Sequence, residues 1–220
     1  PMVADRQLDC QQTGMGFAPI LSLDFNTEKF NVAVKYEFKT KIMLENSTKI
    51  NTSGLTQFDD KAKTAADVPA MLAIGVGCTP IDKLHIYASY HLFDDKNAET
   101  YNSATGKNDK QDLLHGNTSE YLAGVEYDLC DRLVVSCGAQ KTVFQSGPDH
   151  KFLSDMSFST NATSVGAGIK FMATSNLDLN LGYFHSFFDH AEKITASTPE
   201  TKEDFFRTSK AFGAGINFRF

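Results

Sequence analysis

Apolar and polar side chains alternate along the C-terminal stretch of the chain, residues 211–220. Every even-numbered position is apolar, whereas the odd-numbered positions from Gly213 to Arg219 are glycine or polar. A period of two is typical of a β-strand with one apolar face and one polar face. Because the apolar face continues up to Phe220, we expect this strand to pair along its length with a neighbouring strand.

The same alternation recurs in earlier stretches of the chain. With the last one, the predicted strands are residues 17–25, 30–38, 72–78, 84–92, 121–129, 133–139, 165–171, 177–183 and 211–220. Short turns alternate with long polar segments between these strands. The chain therefore repeats a unit of strand, short turn, strand and long loop every roughly 45 to 55 residues. We therefore predict an all-β protein with about nine antiparallel strands.

The two kinds of connection indicate the architecture. The long segments, such as residues 45–67 and 94–117, are rich in Asn, Thr, Ser, Asp and Lys, and they fall at the same end of the strands. Short turns at one rim and long polar loops at the other are typical of an antiparallel transmembrane β-barrel. A soluble antiparallel barrel or sandwich is the alternative, but it has no physical reason to keep its two rims so different.

Aromatic residues on the apolar face give a second test of the membrane hypothesis. They fall near the ends of the predicted strands, and Leu, Val, Ile and Ala occupy the middles. Two aromatic belts around an aliphatic band are typical of a barrel in a bilayer, whereas the rings of a core-facing sheet would more often lie mid-strand. The candidate membrane-interface residues are Phe25, Phe30, Tyr36, Phe38, Tyr90, Tyr121, Tyr127, Phe171 and Tyr183.

The opposite face of the predicted strands is polar or small. It carries charged residues such as Lys35, Glu126 and Arg219, together with many glycines. Charged side chains in that position need water or a polar plug around them, and glycines relieve crowding where a sheet curls and leave room inside. We expect this face to line the interior of the barrel.

Composition excludes two classes of protein. Hydrophobic residues make up 41% of the 220 residues, and no apolar run approaches the roughly 18 residues of a spanning helix, which excludes a helical membrane protein. The net charge is -6 and the basic residues are scattered, which argues against a nucleic-acid partner. The first residues show no signal peptide, so we expect the chain to be cytosolic, already processed or an internal piece of a longer protein.

The sequence indicates neither catalysis nor metal binding. The six histidines show no HExxH or paired ligand spacing, and no catalytic triad order or phosphate-binding loop is present. The four cysteines lack zinc-like spacing and are interpreted as small apolar fillers, with a disulfide between Cys78 and Cys130 left open. We predict no enzyme, no cofactor and no metal site.

Three parts of the chain carry recognisable motifs: Thr13–Pro19 (TGMGFAP), Asp67–Gly77 (DVPAMLAIGVG) followed by Asp82–Leu84 (DKL), and Phe212–Ile216 (FGAGI). These stretches resemble the FadL-type outer-membrane transporters of long-chain fatty acids and other hydrophobic compounds. The resemblance covers nearly the whole chain, from Gly14 to Phe220, and concerns the C-terminal portion of the family's proteins. The final strand also resembles the assembly signal of bacterial outer-membrane barrels, which Phe212, Ile216, Phe218 and Phe220 would carry here.

The resemblance implies a domain organisation. FadL-type proteins have fourteen strands, an N-terminal hatch that plugs the lumen and a lateral opening in the wall. Residues 1–15 would then be a lead-in segment, and residues 16–220 would be the C-terminal part of the barrel wall, with about nine of the fourteen strands and without the hatch and the first strands.

The resemblance also implies a function. We expect passive outer-membrane transport of long-chain fatty acids or other hydrophobic small molecules in a Gram-negative bacterium, by a monomer with a periplasmic C-terminus. The implied partners are the substrate, outer-membrane lipid and the barrel assembly machinery. One alternative is an outer-membrane barrel with a structural or adhesive role through its long loops, and another is a soluble lipid carrier. No ligand-binding residue is assigned, because the matching motifs are architectural.

Overall fold

The computed structural model describes residues 5–154, 159–195 and 201–219, and these form fourteen β-strands. In chain order they are β1 Leu8–Thr13, β2 Ile20–Asn26, β3 Phe30–Glu37, β4 Met43–Asn51, β5 Lys63–Ala65, β6 Met71–Ile81, β7 Leu84–Phe93, β8 Thr118–Cys130, β9 Leu133–Val143, β10 Ala162–Met172, β11 Leu177–Phe188, β12 Ala191–Thr195, β13 Thr201–Phe205 and β14 Thr208–Phe218. Short 3-10 turns lie at Thr56–Phe58, Asp95–Asn97 and Lys110–Leu113. Nine of the strands build the main sheet, and the others belong to two smaller sheets.

The main sheet is an antiparallel meander in the order β14-β11-β10-β9-β8-β7-β6-β3-β2. Its strands pair in the order predicted from the sequence, so the prediction of about nine antiparallel strands is confirmed. Pairing is continuous along β10 and β11, from Ala162 opposite Phe188 to Met172 opposite Asp178. In the described part of the chain, β2 and β14 do not pair with each other, so this sheet is open.

Several strand ends differ from the prediction by a few residues, and the start of the first strand differs for a clear physical reason. The first strand of the main sheet begins at Ile20 and not at Phe17. Pro19 has no amide hydrogen to donate to the ladder, although its carbonyl oxygen accepts a hydrogen bond from the Phe38 N–H at 3.0 Å. The alternation of residues 17–19 therefore lies outside the regular strand.

The two faces of the main sheet differ in polarity and exposure. The face that we call outward carries aliphatic side chains such as Leu23 and Ile216, which are 81% and 72% exposed. On the central strands β8 to β11, most residues of the inward face are less exposed than their outward neighbours, with Ser164 at 3% and Asp178 at 2%. A sheet folded around an apolar core would show the reverse pattern. The prediction that aliphatic residues face outward and that polar or small residues face inward is confirmed.

The long polar segments hold regular structure that the alternation pattern did not predict. Residues 1–15 contain β1, which pairs with β4, and β4 pairs with β5 in a three-stranded sheet. The buried side chain of Asn46 donates to the carbonyls of Gln57 at 2.8 Å and Asp59 at 3.1 Å, and its oxygen accepts from Gln12 Nε2 at 2.9 Å. Polar contacts of this kind hold the sheet together in place of an apolar face.

A second loop structure forms at the long-loop rim. β12 and β13 make a hairpin, and a small apolar cluster joins it to the preceding loop through Leu153, Ala191 and Phe205, all of them buried. Lys193 Nζ donates to the Leu153 carbonyl at 2.8 Å. Nearby, Lys110 Nζ lies 4.8 Å from the centre of the Phe152 ring, and burial, with a smaller contribution from Lys193, lowers the pKa of Lys110.

Two further observations concern the whole of the described chain. Among residues 5–154, 159–195 and 201–219, no helix has the length and hydropathy needed to cross a membrane. All four cysteines lie within these ranges and are free thiols, so Cys78 and Cys130 do not form the disulfide that the sequence left open.

Candidate functional site

The register of the main sheet brings glycines from six strands onto neighbouring rungs of the inward face. One rung holds Gly77, Tyr87, Gly124, Gly138, Gly166, Phe184 and Ala211, and the next rung towards the short turns holds His85, Glu126, Ser136, Gly168, Gly182 and Gly213. Because glycine has no side chain, this part of the inward face is a hollow. We call it the glycine trough and define it by Gly124, Gly138, Gly166, Gly168, Gly182 and Gly213.

The trough crosses the strands instead of following them. It extends from β8 to β14, which is four interstrand spacings of about 4.8 Å, or roughly 19 Å. The hollow has a volume of about 480 Å³. A second hollow of about 400 Å³ adjoins it towards the short turns and shares Glu126, Ser136, Gly168, Gly182 and Gly213 with it. Together they can receive an elongated molecule that lies against the wall.

Two aromatic side chains border the trough. Tyr87 on β7 and Phe184 on β11 both point to the inward face and line the larger hollow. A Cβ atom at Gly77 would come within 3.0 Å of the Tyr87 ring, and one at Gly166 within 3.4 Å of the Phe184 ring. The two glycines therefore allow each ring to lie close to the backbone of the sheet. Aromatic walls over a floor of backbone suit an apolar ligand.

Polar side chains lie on the long-loop side of the trough. The Glu120 carboxylate accepts hydrogen bonds from Gln140 Nε2 at 2.8 Å and from the Thr142 hydroxyl at 3.1 Å, and His91 Nδ1 lies 3.3 Å from its other oxygen. Ser164 donates to Ser186 Oγ at 2.9 Å. The apolar trough thus borders a hydrogen-bonded polar region, as expected for the inward face of a water-containing barrel.

The short-turn side is held by an ion pair at the end of the last strand, between a buried carboxylate and a largely exposed guanidinium. The Arg219 guanidinium donates to the Asp178 carboxylate, which is almost fully buried. The Arg219 N–H also donates to the Asn176 carbonyl at 2.8 Å, and Asn176 Nδ2 donates to the Arg219 carbonyl at 2.8 Å. These contacts tie the end of the chain that the structure describes to the turn between β10 and β11.

The membrane-interface and assembly residues predicted from the sequence lie on the outward face, as far as the structure describes them. Phe25, Phe30, Tyr36, Phe38, Tyr121, Tyr127, Phe171 and Tyr183 are exposed. Tyr90 is half-buried, with its ring centre 5.2 Å from that of Tyr121. Phe212, Ile216 and Phe218 are exposed on β14, and Phe220 lies outside the described residues. Membrane-interface and assembly roles for these side chains stay predictions.

Sequence reasoning missed the glycine trough as a site. It placed the trough glycines on the inward face and interpreted them chiefly as relief for curvature. Their grouping depends on pairing between strands that are far apart along the chain, such as Gly138 opposite Gly166 and Gly182 opposite Gly213. One feature of the sequence could have indicated the trough: most of the predicted strands after residue 120 have glycine at inward positions near their middles.

These features define the class of protein. An open antiparallel meander with an apolar, exposed outward face and a polar inward face is part of the wall of a transmembrane-type β-barrel. Solved structures of known barrels have the same fold, and the chain has the fold of FadL-type proteins.

Three solved structures illustrate the likeness. The chain is similar to the CymD monoaromatic hydrocarbon channel, with 15% identity, a TM-score of 0.59 and coverage of 93% of this chain and 51% of that one. It is similar to a Pseudomonas aeruginosa FadL homologue, with 14% identity, a TM-score of 0.61 and coverage of 90% and 51%. It is also similar to the Ralstonia pickettii toluene transporter TbuX, with 15% identity, a TM-score of 0.53 and coverage of 92% and 48%.

The likeness is one of fold, and it is partial. The chain spans about half the length of the solved structures that it matches. No protein-family model matches the sequence, and no curated protein matches it significantly.

Proposed function

We propose that the protein carrying this chain transports hydrophobic small molecules passively across the outer membrane of a Gram-negative bacterium. The observation that carries the proposal is the glycine trough, a hollow with aromatic walls on the inward face of a sheet whose outward face is apolar and exposed. An apolar molecule in such a hollow leaves water while it remains inside the barrel. Two of the similar structures, a monoaromatic hydrocarbon channel and a toluene transporter, support the same substrate class.

The finer parts of the proposal concern the substrate and the assembly. Long-chain fatty acids are the substrate that the sequence resemblance implies, and monoaromatic hydrocarbons are the competing substrate. This chain would supply the C-terminal part of the wall, and its last strand would end on the periplasmic side, where the short turns lie. We propose a monomer that contacts outer-membrane lipid and is inserted by the barrel assembly machinery.

Uptake measurements test the proposal. Cells with the complete gene, and matched cells in which it is deleted, are given radiolabelled oleate in one assay and radiolabelled toluene in another. We expect faster uptake of at least one of the two compounds in cells that carry the gene, and the compound that responds identifies the substrate class. Equal uptake of both compounds in the two strains would contradict the transport function.

A further inference from the structure

Three metal-ligating side chains meet on the inward face near the short turns. His85 on β7 lies directly opposite Glu126 on β8, and Asp128 follows two residues later on the same face. Their ligand atoms all lie within 4.8 Å of one another, and His85 Nε2 is 3.7 Å from Asp128 Oδ2. The three side chains are half-buried.

Among the described residues, His85 is the one basic side chain within ion-pair distance of the carboxylates of this cluster. Among the described residues, no lysine or arginine forms an ion pair with Glu126 or Asp128, and the only ionisable partner of Asp128 is His85. Like charges at this separation repel each other, and partial burial strengthens the repulsion because water screens it less. A cation between the two carboxylates would remove that repulsion.

The imidazole of His85 is held in an orientation that suits a metal ligand. Its Nδ1 lies 2.9 Å from the Thr79 hydroxyl oxygen. When Nδ1–H donates to that hydroxyl, the lone pair of Nε2 points towards the carboxylates. In that tautomer two acceptors face each other, and a cation between them would satisfy both. A hydrogen bond from the second ring nitrogen is the usual way in which proteins orient a metal-binding histidine.

We propose that His85, Glu126 and Asp128 bind one divalent transition-metal ion, of which Zn²⁺ is the best match. One imidazole nitrogen and two carboxylate oxygens are ligands that Zn²⁺ accepts, and the imidazole favours Zn²⁺ over Mg²⁺ or Ca²⁺. The remaining coordination positions face the interior of the barrel and would hold water. This inference does not rest on the proposed transport function, since metal binding is measured without any substrate.

The cluster lies at the edge of the glycine trough, so a bound metal ion would change the charge there. Glu126 also lines the glycine trough and the hollow next to it. Without a cation, a carboxylate at the edge of an apolar hollow keeps water there, because burying an unpaired charge is costly. A bound cation would balance this charge at the end of the trough that leads towards the short turns.

Sequence reasoning predicted no metal site, because it considered ligand spacing along the chain. His85 and Glu126 are far apart in sequence, and strand pairing alone brings them together. A second cluster of His190, Glu192 and Asp204 lies at the β12–β13 hairpin and is exposed. There Glu192 is already paired with Lys202 at 2.9 Å, so we expect no tight site. It serves as the matched control.

Calorimetry on the complete protein without an affinity tag tests the site. The protein is purified in detergent, stripped with a chelator and titrated with ZnCl₂ and, separately, with MgCl₂. We expect one equivalent of Zn²⁺ per chain and no comparable binding of Mg²⁺. His85→Gln and Glu126→Gln should each weaken Zn²⁺ binding at least tenfold, because the loss of even an outer-shell partner typically costs about 10- to 100-fold in affinity, whereas His190→Gln should leave it unchanged.

A gain of affinity provides the complementary test. Asp128→His replaces a carboxylate by a second imidazole and should tighten Zn²⁺ binding, with Co²⁺ absorption as an independent measure of coordination. Circular dichroism of each variant checks that the sheet has formed. The site is disproved if the folded wild-type protein binds no Zn²⁺ equivalent, or if His85→Gln binds it as tightly as the wild type does. In either case His85 would be only an ion-pair partner of Asp128.

Discussion

At the scale of single residues, the absence of side chains on the inward face creates the candidate site. Gly213 has no atom within 4 Å of the position that its Cβ would occupy, whereas a Cβ at Gly168 would lie 2.8 Å from Ser136 Oγ. The trough glycines therefore differ in what they permit. Some leave usable space, and others allow close packing between neighbouring strands.

Gly213→Leu should block the trough without disturbing the sheet. The new side chain fits into open space, fills part of the hollow of about 480 Å³ and is compatible with a strand. We expect a several-fold slower uptake of the compound that the wild-type protein transports, measured in the cellular assay at equal amounts of protein in the membrane.

The control for this change is Ala214→Leu, which adds a leucine to the outward face of the same strand. Because that face contacts lipid in our account, cells with Ala214→Leu should take up the compound as fast as cells with the wild-type protein. Equal uptake by Gly213→Leu and the wild type would show that the trough is not on the route of the substrate.

At the scale of elements, the ends of strands and hairpins depend on a few buried contacts. β14 is fastened at its end by the pair of Arg219 and Asp178. Arg219→Met leaves the buried Asp178 carboxylate without its charged partner. Because the guanidinium is 62% exposed, we expect a loss of about 1 to 3 kcal/mol, which is less than a fully buried pair would give. We expect a lower free energy of unfolding in urea, measured on the complete protein in lipid by circular dichroism.

The double variant distinguishes charge from packing. Adding Asp178→Asn to Arg219→Met removes the unpaired charge, so part of the lost stability should return. If Arg219→Met unfolds at the same urea concentration as the wild type, the ion pair does not fasten β14.

The β12–β13 hairpin depends on the buried Leu153. Leu153→Ala should cost about 2 to 4 kcal/mol of local stability, because it leaves a cavity between Ala191 and Phe205. Hydrogen exchange should then accelerate in β12 and β13 and stay unchanged in the main sheet. Ile194→Ala, at a side chain of the same hairpin that is 63% exposed, is the control and should change exchange little. Faster exchange throughout the main sheet would contradict a local role for this cluster.

At the scale of the whole molecule, the strands and faces of the main sheet could be predicted from the sequence, whereas the smaller sheets and the site could not. The main strands show a clear period of two because one face is apolar along its length. β1, β4 and β5 show no such pattern, because they pair through polar contacts such as those of Asn46. The trough and the His85 cluster depend on which residue of one strand lies opposite which residue of the next, and the alternation pattern does not contain this register.

The resemblance in sequence and the likeness in fold agree on one architecture. The central claim of our account is that the outward face of the main sheet contacts lipid. Spin labels on single cysteines measure this most directly, in the complete protein with its native cysteines replaced and reconstituted in a bilayer. Ile169 and Leu181 are outward positions, and Lys170 and Asn180 are their inward neighbours at nearly the same depth. Labels at the first two should be reached by oxygen and not by a water-soluble nickel complex, and labels at the other two by the nickel complex. The reverse accessibility, or equal accessibility at all four positions, would contradict the account.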